Sequence, residues 1–414
     1  MNDVLDYPEP PVFASHPVTT APVSFGRAWW AVIARFLIHG LAVSTWVSRI
    51  PSVKAALHLG DGVFGFCLFG TAVGSVIGIP VCGWFVTRHG SRRACTSTSI
   101  GLCLSLILPA LAVNAMTLFA ALFVFGLMLG ANDVAMNSQA VSVEKLLGIR
   151  TMSRFHAMFS VGGIIGAAGG GWIASHGVPA REHLVLMAGV FFAFSLATAP
   201  LLMEAAPQAR EHRARLRLRN MPVALLVLCA IGFCIFLSEG AIADWTAIYL
   251  RQVLRAGPGL AAMGYAVFSA AMAVFRLCGD WIANRLGFAW TIRGGALLAA
   301  CGLTSALLVH SPYWALPGFA LVGAGFSSII PLVFAAGGRI QSVGEGAGVA
   351  AVSGLGYLGF LVGPTAIGFL SELTNLRVGL SLIVVLSLLA AALASYPYSC
   401  SFVFIRGPMF SCRK

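Results

Sequence analysis

An acid and two amides lie inside an apolar run that is otherwise typical of a membrane helix. The run spans residues 127–140 and contains Asn132, Asp133 and Asn137. An ionisable side chain near the centre of a bilayer costs about 2.5 to 3.5 kcal/mol, so it is rare there without a partner or a function. Asp133 and Asn137 are one turn apart and share a helix face. This pattern indicates a proton, ion or solute site, and a structural acid paired with a neighbouring helix is the alternative.

Two more ionisable side chains, His39 and Glu239, lie near the middle of other apolar runs. With Asp133 they are the predicted proton-coupling residues. Burial favours the neutral form of a carboxyl group and a nearby cation favours its charged form, so an arriving solute or a moving Arg or His could trigger proton binding and release. The pattern therefore predicts coupling that requires no metal or other cofactor.

Further polar and aromatic side chains near the ends of apolar runs are candidates for contact with a solute. Asp244 and Trp245 lie five and six residues after Glu239, where the indole could stack on a sugar ring or close a gate. A belt tryptophan beside a helix-end acid is the alternative. His156 is more typical of a loop or packing residue than of a proton relay. The predicted solute-binding residues are Asn137, Asn132, Asp244, Trp245, Trp46 and His156.

The composition is that of a polytopic membrane protein. Of 414 residues, 58% are hydrophobic and 10% are charged, which is incompatible with a soluble globular chain. The net charge of +12 does not indicate a nucleic-acid partner, because the basic residues lie in short segments between apolar runs. The cysteines show no metal-ligand spacing, and buried thiols are expected.

Twelve apolar runs are long enough to cross about 30 Å of hydrocarbon at about 1.5 Å per residue. They cover approximately residues 28–48, 62–86, 94–113, 117–141, 154–175, 183–203, 223–249, 260–283, 291–309, 313–335, 346–370 and 378–396. Most of the 26 Lys and Arg residues fall in the segments on one side of these runs. The positive-inside rule then places both termini in the cytoplasm.

The longest polar interruption divides the chain into six runs and six runs. The predicted organisation is a disordered cytoplasmic tail at 1–25, an N-terminal six-helix bundle at 26–203, a cytoplasmic basic linker at 204–221, a C-terminal six-helix bundle at 222–396 and a cytoplasmic tail at 397–414. The N-terminal tail has no basic segment followed by an apolar core, so it is not a signal peptide.

Several intramembrane features predict structural roles. Arg276 and Asp280 are four residues apart and predict an ion pair at a gate, and Arg35 is expected to pair with an acid or to extend towards the cytoplasm. Glycines spaced four apart in the fifth and eleventh runs predict close helix crossings. Pro80, Pro109, Pro331 and Pro364 are expected to free backbone carbonyls and bend their helices.

The loop predicted after the second run carries a recognisable motif. It reads Gly83-Trp-Phe-Val-Thr-Arg88-His-Gly90-Ser-Arg92-Arg93, and it resembles the signature Gly-x3-Asp-Arg-x-Gly-Arg-Arg of the major facilitator superfamily. Thr87 stands where that family usually has its acid. The resemblance implies an all-α polytopic membrane protein with twelve transmembrane helices in two pseudo-symmetric six-helix bundles, with helices 1, 4, 7 and 10 lining a central cavity. It assigns Gly83, Arg88, Gly90, Arg92 and Arg93, with Arg276 and Asp280, to gating.

A narrower resemblance covers roughly residues 27–396. The stretches DVAMNSQAV, SRFHAMFSVGG and SEGAIADWTAIYL are similar to the YbjJ-like branch, which includes a MosC-like, rhizopine-associated membrane protein. His39 departs from the Asn expected there. The acid-x3-Asn pattern of Asp133 and Asn137 also resembles fucose permease type symporters. These resemblances imply a proton-coupled carrier of a small hydroxylated solute in a bacterial inner membrane.

The sequence does not indicate an enzyme, because it contains no Walker loop, HExxH or GxSxG motif. The function predicted is secondary active transport of a sugar, inositol derivative or polyol, driven by protons, through alternating access. The alternatives are proton antiport that exports an amphiphilic compound, and a receptor that binds without transporting. The expected partners are the solute, protons and the lipid bilayer, with the chain acting as a monomer.

Overall fold

The computed structural model describes residues 25–147, 151–204, 221–340, 343 and 345–395. The predicted N-terminal tail, apart from residue 25, the C-terminal tail and nearly all of the basic linker lie outside these ranges. Within them, the regular secondary structure is helical. The fold-class prediction of an all-α chain with twelve transmembrane helices is confirmed, because twelve segments of the described chain are long and apolar enough to cross a membrane.

The described ranges contain thirteen α-helices and two short 3₁₀ helices. The α-helices are α1 (Phe25–Ala56), α2 (Asp61–His89), α3 (Ser91–Ser105), α4 (Ala115–Leu147), α5 (Met152–Ser175), α6 (Ala180–Thr198), α7 (Val223–Gln252), α8 (Pro258–Leu286), α9 (Phe288–Leu308), α10 (Pro312–Phe326), α11 (Ile329–Gly338), α12 (Glu345–Leu373) and α13 (Leu376–Leu393), and the 3₁₀ helices are Leu108–Leu111 and Ala199–Leu201. Helices α1–α6 and α7–α13 form the two halves of the chain.

The tenth span is broken, although its sequence predicts one continuous helix over 313–335. Helix α10 ends at Phe326 and α11 begins at Ile329, with Ser327 and Ser328 between them. Pro331 lies in the first turn of α11, where it lacks the N–H that would bond the carbonyl four residues earlier. That carbonyl belongs to Ser327, so the proline explains the position of the break.

The motif predicted to form a loop after the second run is almost wholly helical. Helix α2 continues to His89 and α3 begins at Ser91, so only Gly90 separates them. Gly90 has φ 82° and ψ 158°, and Gly287, between α8 and α9, has φ 82° and ψ 164°. Glycine has no Cβ to oppose positive φ. The matching turns show that the two halves repeat the same helix-Gly-helix unit.

Glycines bring the helices of each half into close contact. In α2, Gly74 packs against the backbone of Phe123 and Leu127 of α4, and in α4 Gly126 packs against Thr71 of α2. The glycine row of α5 packs against α1 in the same way, and that of α12 against α7. Small residues at membrane helix crossings allow this approach.

Substitution of Gly74 by Val should destabilise the N-terminal half. Its Cβ would collide with the Phe123 carbonyl and lie 2.6 Å from the Leu127 backbone nitrogen. Overpacking of this kind costs about 1–3 kcal/mol, so we expect a lower thermal unfolding midpoint in detergent and a lower yield of monodisperse protein. Gly83→Val on the same helix is the matched control, because a Cβ at Gly83 meets nothing within 4 Å. Equal unfolding midpoints for the two variants would contradict the packing.

The two halves meet at one face of the membrane domain. We call the face where α1 begins and where α2–α3 and α8–α9 connect the termini face, and the other the opposite face. At the opposite face Gly65 of α2 packs against Pro364 and Gly368 of α12. Gly171 of α5 packs against α8 at the same level.

Polar contacts reinforce this closure. The backbone N–H of Gly62 donates to Glu372 over 3.0 Å, which joins the start of α2 to the end of α12. Lys54 forms an ion pair with Asp61 at 2.6 Å and lies 3.5 Å from Gln252 of α7. The hydrogen bonds of Gln252, Glu372 and Thr365 with the N-terminal half lie on this side of the cavity described below.

Candidate functional site

A cavity of about 1010 Å³ lies between the two halves. Its wall is contributed by helices of both halves, including α1, α2, α4, α5, α7, α8, α11 and α12. Seven acidic, basic or histidine side chains of the described residues line it: His39, Asp133, His156, Glu239, Asp244, Arg276 and Arg339. The sequence predicted five of these as coupling or solute-binding residues and a sixth, Arg276, as a gating residue, and the structure brings them together.

The cavity extends towards the termini face. Its lining reaches Met152 at the start of α5, Asn284 near the end of α8 and Arg339 just after α11. These three positions are all at the termini face, whereas the opposite face is closed by the contacts of Lys54 and Glu372. Among the described residues, the cavity therefore extends to one face of the membrane domain and is closed at the other.

Asp133 lines the cavity from α4 and is half-buried. Asn137, one turn later, donates from Nδ2 to the Asp133 carboxylate over 3.2 Å and to its backbone carbonyl over 2.9 Å. Asn137 is not part of the cavity lining. Its amide therefore supports the carboxylate, and direct contact between Asn137 and a solute would need another conformation.

His39 faces the cavity from α1 and is held from behind by a buried polar network. Its Nδ1 lies 2.9 Å from Nδ2 of Asn132, which is fully buried. The Asn132 Oδ1 atom lies 2.7 Å from the Ser99 hydroxyl and 3.2 Å from the Thr98 hydroxyl, both on α3. Asn132, predicted to bind the solute, lies outside the cavity lining and contacts His39 instead.

Glu239 and Asp244 line the cavity from α7, and both are half-buried. The Oε1 atom of Glu239 is buried and has no hydrogen-bond partner among the described residues. Tyr357 of α12 is close enough to interact electrostatically with both Glu239 and Asp133. Carboxyl groups from both halves therefore share one space, and a proton or a polar solute could bridge them.

Arg276 lines the cavity from α8 and is anchored at the break in the tenth span. Its Nε donates to the backbone carbonyl of Ser327 over 3.1 Å. Ser327 is the residue whose carbonyl loses its helical donor to Pro331. The predicted ion pair with Asp280 stays a prediction, because the Asp280 side chain is outside the described residues.

Aromatic rings form one wall of the cavity beside Glu239. The ring of Phe236 lies 5.1 Å from Tyr357, 4.9 Å from Phe360 and 6.1 Å from Phe334, measured between centroids. All four residues line the cavity. Such a wall can pack on the apolar face of a ring or on an apolar chain.

The remaining predicted residues have other positions. Trp46 is buried and lines the cavity, and His156 lines it with its ring 5.0 Å from that of Phe36. Trp245 is fully buried, 6.0 Å from the Phe64 ring across the halves, and is outside the lining. Stacking of Trp245 on a solute would therefore require another conformation to expose the indole.

The gating motif lies at the termini face and away from the cavity wall. Arg88 stacks over Trp84 at 5.5 Å, and Arg92 forms an ion pair with Glu204 at 2.7 Å. Gly83 and Arg93 are on α2 and α3, on either side of the Gly90 turn. The Arg88 contact lies within α2, and the Arg92 ion pair joins α3 to the segment after α6.

The predicted partner of Arg35 was wrong. Arg35 is fully buried and neither pairs with an acid among the described residues nor reaches the interface; it donates to the hydroxyl and the backbone carbonyl of Ser195 on α6. A serine offers no charge pattern that could have indicated this contact.

Sequence reasoning missed several residues of the cavity. Tyr357, Arg339, Ser327 and Ser328 all line it. Tyr357 lies in a run whose glycine pattern indicated packing, and the two serines look like ordinary polar residues of a helix. The proline four residues after Ser327 was the available signal for the break.

Comparison with known proteins identifies the family. The sequence profile of the Major Facilitator Superfamily matches residues 31–342. The chain belongs to the major facilitator superfamily. It is therefore a multi-pass membrane transporter and not an enzyme.

Relatives of this facilitator cover most of its length. The chain is 36% identical over 87% of its length to an uncharacterized MFS-type transporter of Yersinia pestis, covering 93% of that protein. It is 32% identical over 87% of its length to the membrane protein MosC of Rhizobium meliloti, covering 88% of it. The resemblance to the MosC-like branch is thereby confirmed.

Solved facilitators share the fold of this one. A mutant form of the nucleoside transporter NupG superposes with a TM-score of 0.73 at 12% identity, over 89% of this chain and 98% of that one. An inward-facing, unoccupied bacterial homologue of the human lysosomal transporter Spinster gives a TM-score of 0.68 at 14% identity, over 91% and 97% of the two chains.

Proposed function

We propose that this facilitator takes up a small polar solute, a sugar, inositol derivative or other polyol, together with protons across a bacterial inner membrane. The observation that carries the proposal is the sharing of one cavity by carboxyl groups from both halves, Asp133 from the N-terminal half and Glu239 and Asp244 from the C-terminal half. Uncompensated intramembrane acids are costly and mark ion and proton pathways.

Asp133 is the proposed proton acceptor. Its carboxylate faces the cavity and its described hydrogen-bond partner is the neutral amide of Asn137, so protonation breaks no ion pair among the described residues. Glu239, with an unpartnered buried oxygen, is proposed to accept a solute hydroxyl or a second proton. His39, Asp244 and His156 complete the polar surface offered to the solute.

Alternating access is the proposed mechanism. The contacts of Gly65, Lys54 and Glu372 close the opposite face while the cavity reaches the termini face. Rocking of the two halves would break these contacts and open the other side, as in transporters built from repeats. The basic termini face is proposed to be cytoplasmic, which makes this conformation inward-facing.

Export of an amphiphilic compound by proton antiport is the second candidate. The clustered rings of Phe236, Phe334, Tyr357 and Phe360 favour it, because they offer an apolar wall to a solute. The acids and His39 on the other walls favour a solute that also forms hydrogen bonds.

Accumulation of labelled solutes in proteoliposomes under an imposed pH gradient tests the proposal. The panel contains sugars, inositols and amino-polyols, and an uncoupler is the control. We expect one compound to accumulate when the outside is acidic, and the uncoupler to abolish its accumulation. Gradient-driven extrusion of a lipophilic cation, without movement of any polar solute, would replace symport by the second candidate.

A further inference from the structure

The break in the tenth span fixes the position of a positively charged side chain, Arg276, in the cavity. A continuous helix would satisfy the Ser327 carbonyl with the N–H of residue 331, but that residue is Pro331 and has none. Arg276, on a different helix, takes the place of this donor with its Nε atom at 3.1 Å. The side chain is therefore oriented by a backbone group that the chain itself leaves free.

This anchor uses one end of the guanidinium group only. Arg has five N–H donors in a planar fork, and the Nη1 and Nη2 atoms of Arg276 have no hydrogen-bond partner among the described residues. The two ion pairs formed by those residues, Lys54–Asp61 and Arg92–Glu204, do not include Arg276. A pair of parallel donors in a cavity matches the two oxygens of a carboxylate.

The surroundings of Arg276 fit an anionic group. Ser328 lines the cavity beside it and carries a hydroxyl group, whereas the Ser327 hydroxyl donates to the Ala324 backbone carbonyl over 2.7 Å. The first turn of α11 follows immediately, and its unpaired backbone N–H groups add partial positive charge. Arg339 lines the same cavity nearer the termini face.

Among the described residues, no acid of the cavity forms an ion pair with this group. Glu239 is close enough to Arg276 for an electrostatic interaction, yet its Oε1 atom has no partner. Asp133 and Asp244 lie on α4 and α7. The cavity thus offers an anchored cation as well as three acids, which suits a solute that has hydroxyl groups and one carboxylate.

We propose that Arg276, held by the Ser327 carbonyl that Pro331 leaves free, is the subsite that binds a carboxylate group of the transported solute. This proposal rests on the proposed transport of a polar solute through the same cavity. Pro331 is then a positioning residue, because it acts only through Arg276.

The test compares glucose, glucosamine and glucuronate as ligands and as transported solutes of purified and reconstituted protein. These compounds share one ring and differ in charge. We expect glucuronate to bind most tightly, and Arg276→Gln to weaken it on the order of tenfold or more without changing the weaker binding of glucose. Arg276→Lys retains the charge but loses the fork of parallel donors. Its affinity for glucuronate should lie between those of the unmodified protein and Arg276→Gln.

Two further variants separate positioning from folding. Pro331→Ala supplies the missing N–H, so residue 331 competes with Arg276 for the Ser327 carbonyl, and glucuronate binding should weaken several-fold. In the Arg276→Gln background, Pro331→Ala should have no further effect on the preference for glucuronate over glucose. Pro317→Ala is the matched control, because Pro317 lies inside α10 of the same span and outside the cavity lining, and this variant should bind glucuronate as the unmodified protein does.

Unchanged glucuronate binding in Arg276→Gln overturns the carboxylate subsite. Selective transport of glucose or glucosamine overturns it too, and neither result contradicts transport of a polar solute. Transport of none of the three, and of none of the inositols and amino-polyols, overturns the carrier proposal. In that case the carboxylate subsite is tested by measuring transport of decanoate and decylamine. Extrusion of decylamine alone overturns the subsite as well. Loss of binding in Asp280→Asn equal to that in Arg276→Gln would assign Arg276 to an ion pair and also overturn the subsite.

Discussion

Replacement of Asp133 by Asn should uncouple solute movement from the pH gradient. One pH unit supplies about 1.4 kcal/mol per proton, enough for about tenfold accumulation. Because Asn cannot release a proton, we expect this ratio to fall to about one in the variant. Exchange of labelled for unlabelled solute should continue, since the substitution keeps the size of the side chain. The measurement is accumulation and exchange in the same proteoliposomes.

Asn137→Ala is the matched control for this variant. It removes the amide that donates to Asp133 over 3.2 Å but leaves the carboxyl group and the cavity lining in place. We expect coupling to persist in this control. Accumulation in Asp133→Asn equal to that of the unmodified protein would exclude Asp133 as the proton site.

Substitution of Gly65 by Val should shift the protein towards a state open at the opposite face. In the observed conformation its Cβ would lie 2.8 Å from the Pro364 carbonyl oxygen and 2.9 Å from the Gly368 Cα. These contacts join the two halves, so overpacking should destabilise the observed conformation by about 1–3 kcal/mol. The conformation open at the opposite face lacks these contacts and should not be destabilised. The ratio of the state open at the opposite face to the observed conformation should increase by about 5- to 150-fold.

The measurement is alkylation of a cysteine placed at Ala243, which lines the cavity from α7. In a background without other cysteines, a membrane-impermeant maleimide added at the opposite face should label Gly65→Val faster than the parent. Gly169→Val is the control, because a Cβ there meets nothing within 4 Å. Equal labelling rates in all three proteins would show that these contacts do not close the cavity.

The spans and the class of the fold followed from the sequence because lipid imposes length and apolarity on every crossing segment. The same rule explains why Asp133, Glu239 and His39, which line the cavity, could be selected from the sequence: polar groups are rare inside apolar runs. Helix ends were less predictable. The motif from Gly83 to Arg93 is polar enough to suggest a loop, but only Gly90 interrupts the helices.

Contacts between distant helices were the part that sequence reasoning could not supply. Pro331 predicted a free carbonyl, yet its new donor, Arg276, is 55 positions away on α8. Asn132 and Asn137 are polar residues of one helix, and only packing shows that the first holds His39 and the second supports Asp133. Trp245 is a residue type that can stack on a solute, but its indole ring packs against Phe64.

Proton movement on addition of solute tests the central claim most directly. Proteoliposomes that enclose a pH-sensitive dye are challenged with the same sugars, inositols and amino-polyols, without an imposed gradient. The account predicts that one compound acidifies the interior and that Asp133→Asn, shown to be folded, abolishes the signal. Entry of that compound without any change in internal pH would contradict proton-coupled uptake by this cavity.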